Sequence, residues 1–250
     1  MTCFLTSSPT AMDGSGLIYD NDFIPLLRGA LPSPCRALFV CSSPDDPERT
    51  DWFASSMLAS LAEGGLCFGS SAVLDRRTQD KAADLIAAAD FIILGGGHVP
   101  TQNRFFAEIG LKALLQGYDG VVMGISAGTM NSAETVYAVP EEEGEAIDPA
   151  FQRFLPGLGL TDCLLLPHYQ MICHDVVDGL RLFEDIVHGD SFGRCFYAVP
   201  DGSFLYLKGE TRQLRGECRR IRDGKMELIA RVGDVLPVEA LAEAKSIAED

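Results

Sequence analysis

The sequence has few basic residues relative to acidic ones. Its 250 residues include 20 lysines and arginines against 36 aspartates and glutamates, which gives a formal net charge of −16 at pH 7. Nucleic acids and anionic membranes attract basic surfaces, so this balance argues against both as binding partners. The excess of negative charge favours solubility instead.

Long hydrophobic runs are also missing from the sequence. No apolar stretch approaches the roughly 20 residues that a membrane-spanning helix requires. The first basic residue is Arg28, so the N-terminal segment lacks the positive charge of a secretory signal. We therefore expect a cytoplasmic protein.

Metal-binding and disulfide patterns are absent too, although cysteine itself is not scarce. The eight cysteines form no C-x-x-C pair and stand among apolar neighbours: Cys3, Cys35, Cys41, Cys67, Cys163, Cys173, Cys195 and Cys218. This scatter favours reduced thiols over disulfides or a zinc site. We expect neither a metal nor a cofactor.

The first half of the chain alternates between two kinds of apolar pattern. Short runs rich in strand-forming residues occupy 3–6, 36–41, 72–74, 91–94 and 120–123, and segments with helical spacing occupy 51–63, 78–89 and 102–116. Alternating strands and helices predict a parallel sheet that is covered on both faces and binds ligands at the carboxyl ends of its strands. The length and a hydrophobic content of 47% suit one domain over residues 1–250.

The second half has a different character. An acidic loop at 141–145 is followed by an apolar strand at 163–166, and His168 stands just after that strand. Turn sequences at 200–203 and 222–225 predict β-hairpins that close the domain.

The segment Val121 to Asn131 reads VVMGISAGTMN and carries the strongest chemical signal. It places Ser126 between Gly124 and Gly128, after a predicted strand and before a predicted helix. A serine becomes a nucleophile when a tight strand-to-helix turn projects its hydroxyl, and small residues two places away prevent clashes. Ser126 is therefore the candidate nucleophile.

A serine nucleophile needs a base, and the chain offers four histidines: His98, His168, His174 and His188. Only His98 and His168 follow predicted strands, at the edge where Ser126 is expected. His98 follows the glycine triplet 95–97, and His168 follows the run 164–167. Histidine is the usual general base at neutral pH, and its position favours His168.

These motifs together resemble the peptidase E (dipeptidase E) and cyanophycinase family of serine peptidases. The resemblance rests on the serine turn, the upstream glycine triplet, and the downstream Leu166-Pro167-His168-Tyr169, and it extends from the N-terminal LTSSP to 199–202. It implies an α/β fold: a three-layer α/β/α sandwich with a mostly parallel, flavodoxin-like sheet, akin to class I glutamine amidotransferases, with the C-terminal hairpins added.

The resemblance also implies roles for individual residues. Ser126 attacks a peptide carbonyl, and His168 acts first as base and then as acid toward the leaving amine. Backbone N–H groups of Ala127 and Gly97 form the oxyanion hole. Position matching to the aspartate of peptidase E implies Glu141 as the acid that orients His168, whereas the residues alone leave six carboxylates open: Glu134, Glu141, Glu142, Glu143, Glu145 and Asp148.

The expected substrate is a short peptide. Relatives that read an N-terminal aspartate carry arginines soon after the histidine, but here no arginine follows His168 until Arg181, so an aspartyl preference is in doubt. His98 and Gln102 are the candidate substrate-binding residues. A homodimer is one oligomeric state open to an enzyme of this size, although no segment identifies an interface.

Three other functions use the same residues. An α/β-hydrolase esterase shares the serine turn, but its histidine normally lies far toward the C-terminus, whereas the last histidine here is His188. A non-catalytic binding or regulatory protein on an amidotransferase-like scaffold is the main alternative. Glutamine amidotransfer itself is disfavoured because the turn carries serine in place of cysteine.

Overall fold

The strands of the protein form one eight-stranded sheet, one four-stranded sheet and two strand pairs within the described residues, 1–11 and 16–248 of the computed structural model. In chain order they are β1 (Thr2–Thr6), β2 (Cys35–Val40), β3 (Phe68–Leu74), β4 (Phe91–Leu94), β5 (Val121–Ile125), β6 (Thr135–Tyr137), β7 (Phe154–Pro156), β8 (Leu164–Leu166), β9 (Val176–Val177), β10 (Leu180–Arg181), β11 (Cys195–Ala198), β12 (Phe204–Lys208), β13 (Thr211–Arg215), β14 (Cys218–Arg222), β15 (Lys225–Ala230) and β16 (Val235–Pro237).

The helices pack around these sheets. The α-helices are α1 (Phe23–Ala30), α2 (Pro47–Glu63), α3 (Ala82–Ala88), α4 (Val99–Glu108), α5 (Leu111–Leu114), α6 (Ala127–Asn131), α7 (Tyr169–Ile172) and α8 (His188–Asp190). Short 3₁₀ turns cover Asp20–Asp22, Gln79–Lys81 and Val238–Glu243, and a π-helical segment covers Leu182–Val187.

The central sheet has the strand order β16-β13-β12-β1-β5-β4-β2-β3. Strands β1 to β5 pair in parallel, and β12, β13 and β16 extend the sheet in antiparallel fashion beyond β1. The mostly parallel α/β fold predicted from the sequence is confirmed. The predicted hairpin around 200–203 differs in detail, since its region leads from β11 in one sheet to β12 in another.

Alternation along β4 shows why helices cover both faces of this sheet. Phe91 and Ile93 belong to one buried apolar cluster together with residues of α1 and α2, whereas Ile92 and Leu94 belong to another together with residues of α4. Successive side chains of a strand point to opposite faces, so a strand that is apolar throughout must be buried on both. The result is the three-layer α/β/α arrangement.

The strand before His168 lies in the second sheet, not in the central one. This sheet has the order β15-β14-β11-β8, and β8 pairs in parallel with β11 so that Leu166 stands opposite Ala198. Parallel strands end at the same edge of a sheet, and the segments that follow β8 and β11 therefore emerge side by side.

The helix predicted over 102–116 is interrupted. It begins earlier, as α4 at Val99, and the chain turns at Gly110, whose φ is +64°, before α5 begins at Leu111. Glycine adopts this left-handed conformation without steric cost, which makes it a frequent helix terminator.

The thiols agree with the expectation of reduced cysteines. All eight are free, and five of them are buried: Cys3, Cys35, Cys41, Cys163 and Cys218. Burial raises the pKa of the Cys163 thiol to about 11, which keeps it protonated and unreactive. No helix in the described ranges is long and apolar enough to cross a membrane.

The aromatic cluster around Phe4 on β1 gives a test of core packing. Phe4 is fully buried, and its ring lies 5.8 Å from that of Phe23 and 5.1 Å from that of Tyr206. Phe4→Ala should lower the free energy of unfolding by about 3–5 kcal/mol, because it leaves a cavity between these rings. Urea unfolding measures the loss, with Phe192→Ala as a control at a side chain that is 64% exposed. A loss no larger than that of the control would contradict this packing.

Candidate active site

Ser126 occupies the turn between β5 and α6 in a strained backbone conformation. Its φ and ψ are 51° and −112°, which non-glycine residues rarely adopt. A Cβ added at Gly124 would lie 2.9 Å from the Thr129 backbone, and one added at Gly128 would lie 2.3 Å from the Leu94 carbonyl oxygen. Both flanking positions therefore require glycine, as the sequence pattern predicted.

The carboxyl end of β1 holds this turn in place. The Ser126 N–H donates to the carbonyl oxygens of Ser7 at 2.9 Å and Thr6 at 3.2 Å. The Thr129 hydroxyl, in α6, donates to the same Thr6 oxygen at 2.7 Å. These bonds stabilise a conformation that Ser126 would not adopt alone.

The glycine triplet lies against the nucleophile. A Cβ added at Gly96 would approach the Ser126 Cβ to 3.3 Å. Gly97 has a φ of +151°, and a Cβ there would meet the Ser42 hydroxyl at 2.3 Å. Ala127 begins α6, so its N–H is among those that a helix leaves without an intrahelical acceptor. Gly96 is thus the triplet residue that contacts Ser126, whereas Gly97 lines the large pocket together with Ser126.

Gln102 bonds to the glycine triplet 95–97 from the protein interior and does not line either pocket. Its side chain is fully buried, its amide nitrogen donates to the Gly95 carbonyl at 2.7 Å, and its amide oxygen accepts from Asn131 at 3.0 Å. The expectation that Gln102 binds substrate is corrected here, because its polar atoms bond to neighbouring protein groups. The helical position predicted for it is right, but it faces the interior.

His168 stands two residues beyond β8, in a left-handed conformation with φ of 58°. Its Nδ1 lies 2.8 Å from the Asp201 Oδ1. The carboxylate at the ring nitrogen is therefore Asp201 and not Glu141, which corrects the sequence-based assignment. The reason is the parallel pairing of β8 with β11, which brings the segment after β11 beside the segment after β8.

Asp201 is held firmly in this position. Its side chain is only 6% exposed, and its Oδ1 also accepts a hydrogen bond from the Ser7 hydroxyl at 2.7 Å. The Oδ2 accepts from the Gln170 amide at 2.7 Å. The Ser7 hydroxyl in turn accepts the His168 N–H at 2.7 Å. Ser7 thus connects the imidazole segment, its carboxylate and, through its carbonyl, the Ser126 backbone.

The sequence contains a signal for Asp201, although the local pattern assigns this residue to a turn. Asp201 follows a short apolar strand, as His168 does, and polar residues after strands gather at a common edge when the strands are parallel. The sequence Pro200-Asp201-Gly202 is equally typical of a turn. Only the pairing of β11 with β8 shows that Asp201 also lies beside His168.

Two cavities meet at Ser126 and His168. The small pocket has a volume of about 240 Å³ and the large pocket about 610 Å³, and both are lined by Ser126, Glu141, His168 and Ile172. The predicted nucleophile and base therefore face the same space. The large pocket lies within the range of roughly 300–1,000 Å³ that is typical of ligand sites, and the small pocket adjoins it at Ser126.

His98 lines the large pocket, but both of its ring nitrogens have partners. Nδ1 lies 2.8 Å from the Thr101 hydroxyl and Nε2 lies 2.8 Å from the Glu145 carboxylate. The other Glu145 oxygen accepts the N–H groups of Glu141 and Glu142 at 2.9 and 3.0 Å. This network fixes the acidic loop against the glycine triplet.

Three side chains of the same region lie close enough together to hold a metal ion. One ligand atom from each of His98, Glu142 and Glu145 lies within 4.8 Å of the others. Glu145 already bonds to His98 and to two backbone amides, so its carboxylate has a structural role that needs no ion.

Glu141 lies beside the nucleophile with an altered acidity. Glu141 lines both pockets and remains exposed to solvent at their rim, and partial removal from water together with the charges of Glu145 and Glu142 raises its pKa to about 7. This carboxyl therefore changes between its protonated and ionised forms near neutral pH.

The raised pKa of Glu141 makes the stability of the fold depend on pH. The Glu141 pKa is about 7 in the folded protein against an ordinary 4.5, so the protonated form stabilises the fold below pH 4.5 and that contribution is lost as pH rises through 7. Glu141→Gln should therefore raise the free energy of unfolding at pH 8 by about 1 kcal/mol after solvent screening, and change it little at pH 4. Urea unfolding at both pH values measures this.

Glu143→Gln, at an exposed residue of the same loop, is the matched control. A Glu141→Gln effect that is equal at both pH values, or that destabilises the protein at pH 8, would contradict the raised pKa.

Comparison with known proteins finds one matching family and two similar structures. Residues 20–215 match the model of peptidase family S51. A peptidase from an acI-B1 Actinobacterium has a similar structure, with a TM-score of 0.63 and 13% identity over 94% of this chain and 96% of that one. A putative peptidase E protein from Listeria monocytogenes EGD-e has a TM-score of 0.56 and 17% identity over 84% of this chain and 96% of that one. No curated protein matches the chain significantly.

Proposed function

Because the chain belongs to peptidase family S51, we propose that it is a serine peptidase that hydrolyses short peptides through Ser126, His168 and Asp201. The contact between His168 Nδ1 and Asp201 Oδ1 at 2.8 Å carries this proposal. A carboxylate on Nδ1 keeps the proton there and leaves Nε2 free to accept one from the serine.

In the proposed reaction, the Ser126 hydroxyl attacks the scissile carbonyl carbon while His168 Nε2 takes its proton. The N–H groups of Ala127 and Gly97 bind the negative oxygen of the tetrahedral intermediate. His168 then gives the proton to the leaving amine as the C–N bond breaks, which leaves an acyl group on Ser126. A water molecule, deprotonated by His168, hydrolyses this ester and restores the serine.

Asp201 has the environment that its role requires. It is nearly buried, it accepts two further hydrogen bonds from Ser7 and Gln170, and it lies beside the base. These bonds fix the orientation of the carboxylate, which in turn orients the imidazole of His168. Glu141 has no such network around its carboxylate.

The two pockets support a short substrate, with one part on each side of the scissile bond. Arg49 is the single lysine or arginine among the described residues that line them, and it lies in the wall of the large pocket. A guanidinium there is suited to the terminal carboxylate of a peptide. This supports a dipeptidase-type exopeptidase, with His98 and its loop shaping the same wall.

Ser126→Ala should reduce kcat/KM for dipeptides by about 10⁴-fold or more and should abolish labelling by a fluorophosphonate probe, because only an activated serine reacts. Activity on a broad panel of dipeptides and mass spectrometry of the labelled protein measure both effects. Turnover that survives the substitution would exclude the mechanism. Absent labelling of the wild type, together with tight binding of a metabolite, would favour a non-catalytic binding protein.

Asp201→Asn should lower kcat by about 10³- to 10⁴-fold with little change in KM, because the amide favours the wrong tautomer of His168. Glu143→Gln serves as the control. Should Glu141→Gln reduce kcat as severely as Asp201→Asn does, the assignment of the acid to Asp201 would be wrong.

Arg49→Gln should raise KM for a dipeptide by about 10-fold and leave KM for the corresponding dipeptide amide nearly unchanged, since the amide has no terminal carboxylate. Arg104→Gln, at an exposed arginine outside both pockets, is the matched control. An equal change in KM for the dipeptide and its amide would show that Arg49 does not bind the terminal carboxylate.

A further inference from the structure

The small pocket beside Ser126 combines apolar walls with two carboxylates. Its apolar side chains include Met130, Val139, Leu166 and Leu182, all of which are buried. Glu141 and Asp175 line the same cavity. An apolar pocket with acidic groups at its wall differs from the charge distribution that an aspartate or glutamate side chain would need.

These two carboxylates have no cationic partner in the part of the chain that the structure describes. Neither of them takes part in an ion pair there, whereas Glu145, Asp185 and Asp201 each pair with a histidine or an arginine. Glu145 bonds to His98 and to the amides of the acidic loop. Asp178 accepts the N–H groups of Gly144 and Ala146 at 2.8 and 2.9 Å.

The engaged acids therefore organise the backbone, while the other two remain available to a ligand. Glu145 and Asp178 fix the loop 141–146 from both sides, which holds Glu141 at the pocket without requiring substrate to order it. Pre-organisation of this kind lowers the entropic cost of binding.

We propose that the small pocket is a specificity pocket for a side chain with an aliphatic stem and a cationic end, so that the enzyme prefers lysine or arginine beside the scissile bond. This inference rests on the proposed peptidase function. The stem packs on the apolar walls, and the ammonium or guanidinium group pairs with Glu141 and Asp175.

The charges of the site agree with this orientation. Removal from water and the neighbouring charges of Glu145 and Glu142 hold the pKa of Glu141 at about 7, and a bound cation offsets the repulsion between these carboxylates. Arg49 lies in the wall of the large pocket, which Glu141 and Glu142 also line, so that pocket carries charges of both signs. The small pocket has two carboxylates and no lysine or arginine in its lining, so a cationic side chain fits there better than in the large pocket, where Arg49 stands.

The test compares lysine with norleucine, its uncharged analogue of nearly equal length. The dipeptides are Lys-Ala against norleucine-Ala and Ala-Lys against Ala-norleucine, with Asp-Ala as the acidic comparison, all at pH 8. We expect the lysine peptide of one pair to show a kcat/KM at least 10-fold above that of its norleucine partner, and Asp-Ala to be the poorest substrate. Equal values in both pairs, or a preference for Asp-Ala, would overturn the proposal.

Substitutions assign the preference to the pocket. Glu141→Gln and Asp175→Asn should each reduce the lysine-to-norleucine ratio by about 10-fold, whereas Glu143→Gln should leave the ratio unchanged because its side chain lies outside the pocket. If Glu141→Gln weakens lysine and norleucine peptides equally, the carboxylate reads the α-ammonium or only supports the fold, and the proposal is wrong.

A binding measurement separates this inference from the proposed function. Calorimetric titration of Ser126→Ala with the same peptides reports affinity without turnover, and we expect the lysine peptide to bind at least 10-fold more tightly. If Ser126→Ala binds the lysine peptide more tightly but the wild type hydrolyses none of these peptides, the peptidase mechanism is wrong and the pocket assignment is supported. If the wild type hydrolyses the peptides but neither cleavage nor binding favours lysine over norleucine, the pocket assignment is wrong and the peptidase mechanism is supported.

Discussion

The end of β1 at Thr6 and Ser7 is the point on which the geometry of the site depends. Carbonyl oxygens of both residues accept the Ser126 N–H, and the Ser7 hydroxyl bonds to Asp201 and to the His168 backbone. Ser126 and His168 both have positive φ values, which the surrounding structure must stabilise. A single buried serine therefore couples a turn of the central sheet to the edge of the second sheet.

The arrangement explains how two sheets supply one site. Ser126 comes from the carboxyl end of β5 in the parallel sheet, and His168 and Asp201 follow β8 and β11 in the four-stranded sheet. Each sheet is rigid because its strands are hydrogen-bonded along their lengths, so the relative position of the groups is set by the packing between sheets. Side chains that directly follow such strands are held more precisely than side chains on long loops.

The acidic loop has two functions that its composition conceals. Glu145 is used to fix the loop through His98 and two backbone amides, whereas Glu141 is held at the nucleophile with a raised pKa. A carboxylate that costs stability at neutral pH beside the proposed nucleophile fits a role in binding. The net charge of −16 indicates neither role, because it sums over the whole surface.

Local patterns in the sequence determined the parallel sheet, the glycine-flanked turn at Ser126 and the strand-end position of His168, since each depends on neighbours within a few residues of chain. Tertiary structure alone decided that β8 leaves the central sheet, that Gln102 faces the interior, and that Asp201 rather than Glu141 contacts His168. Those outcomes depend on which strands pair across long stretches of sequence. Strand pairing is set by the packing of the whole chain, so it cannot be predicted from the spacing of residues within a short segment.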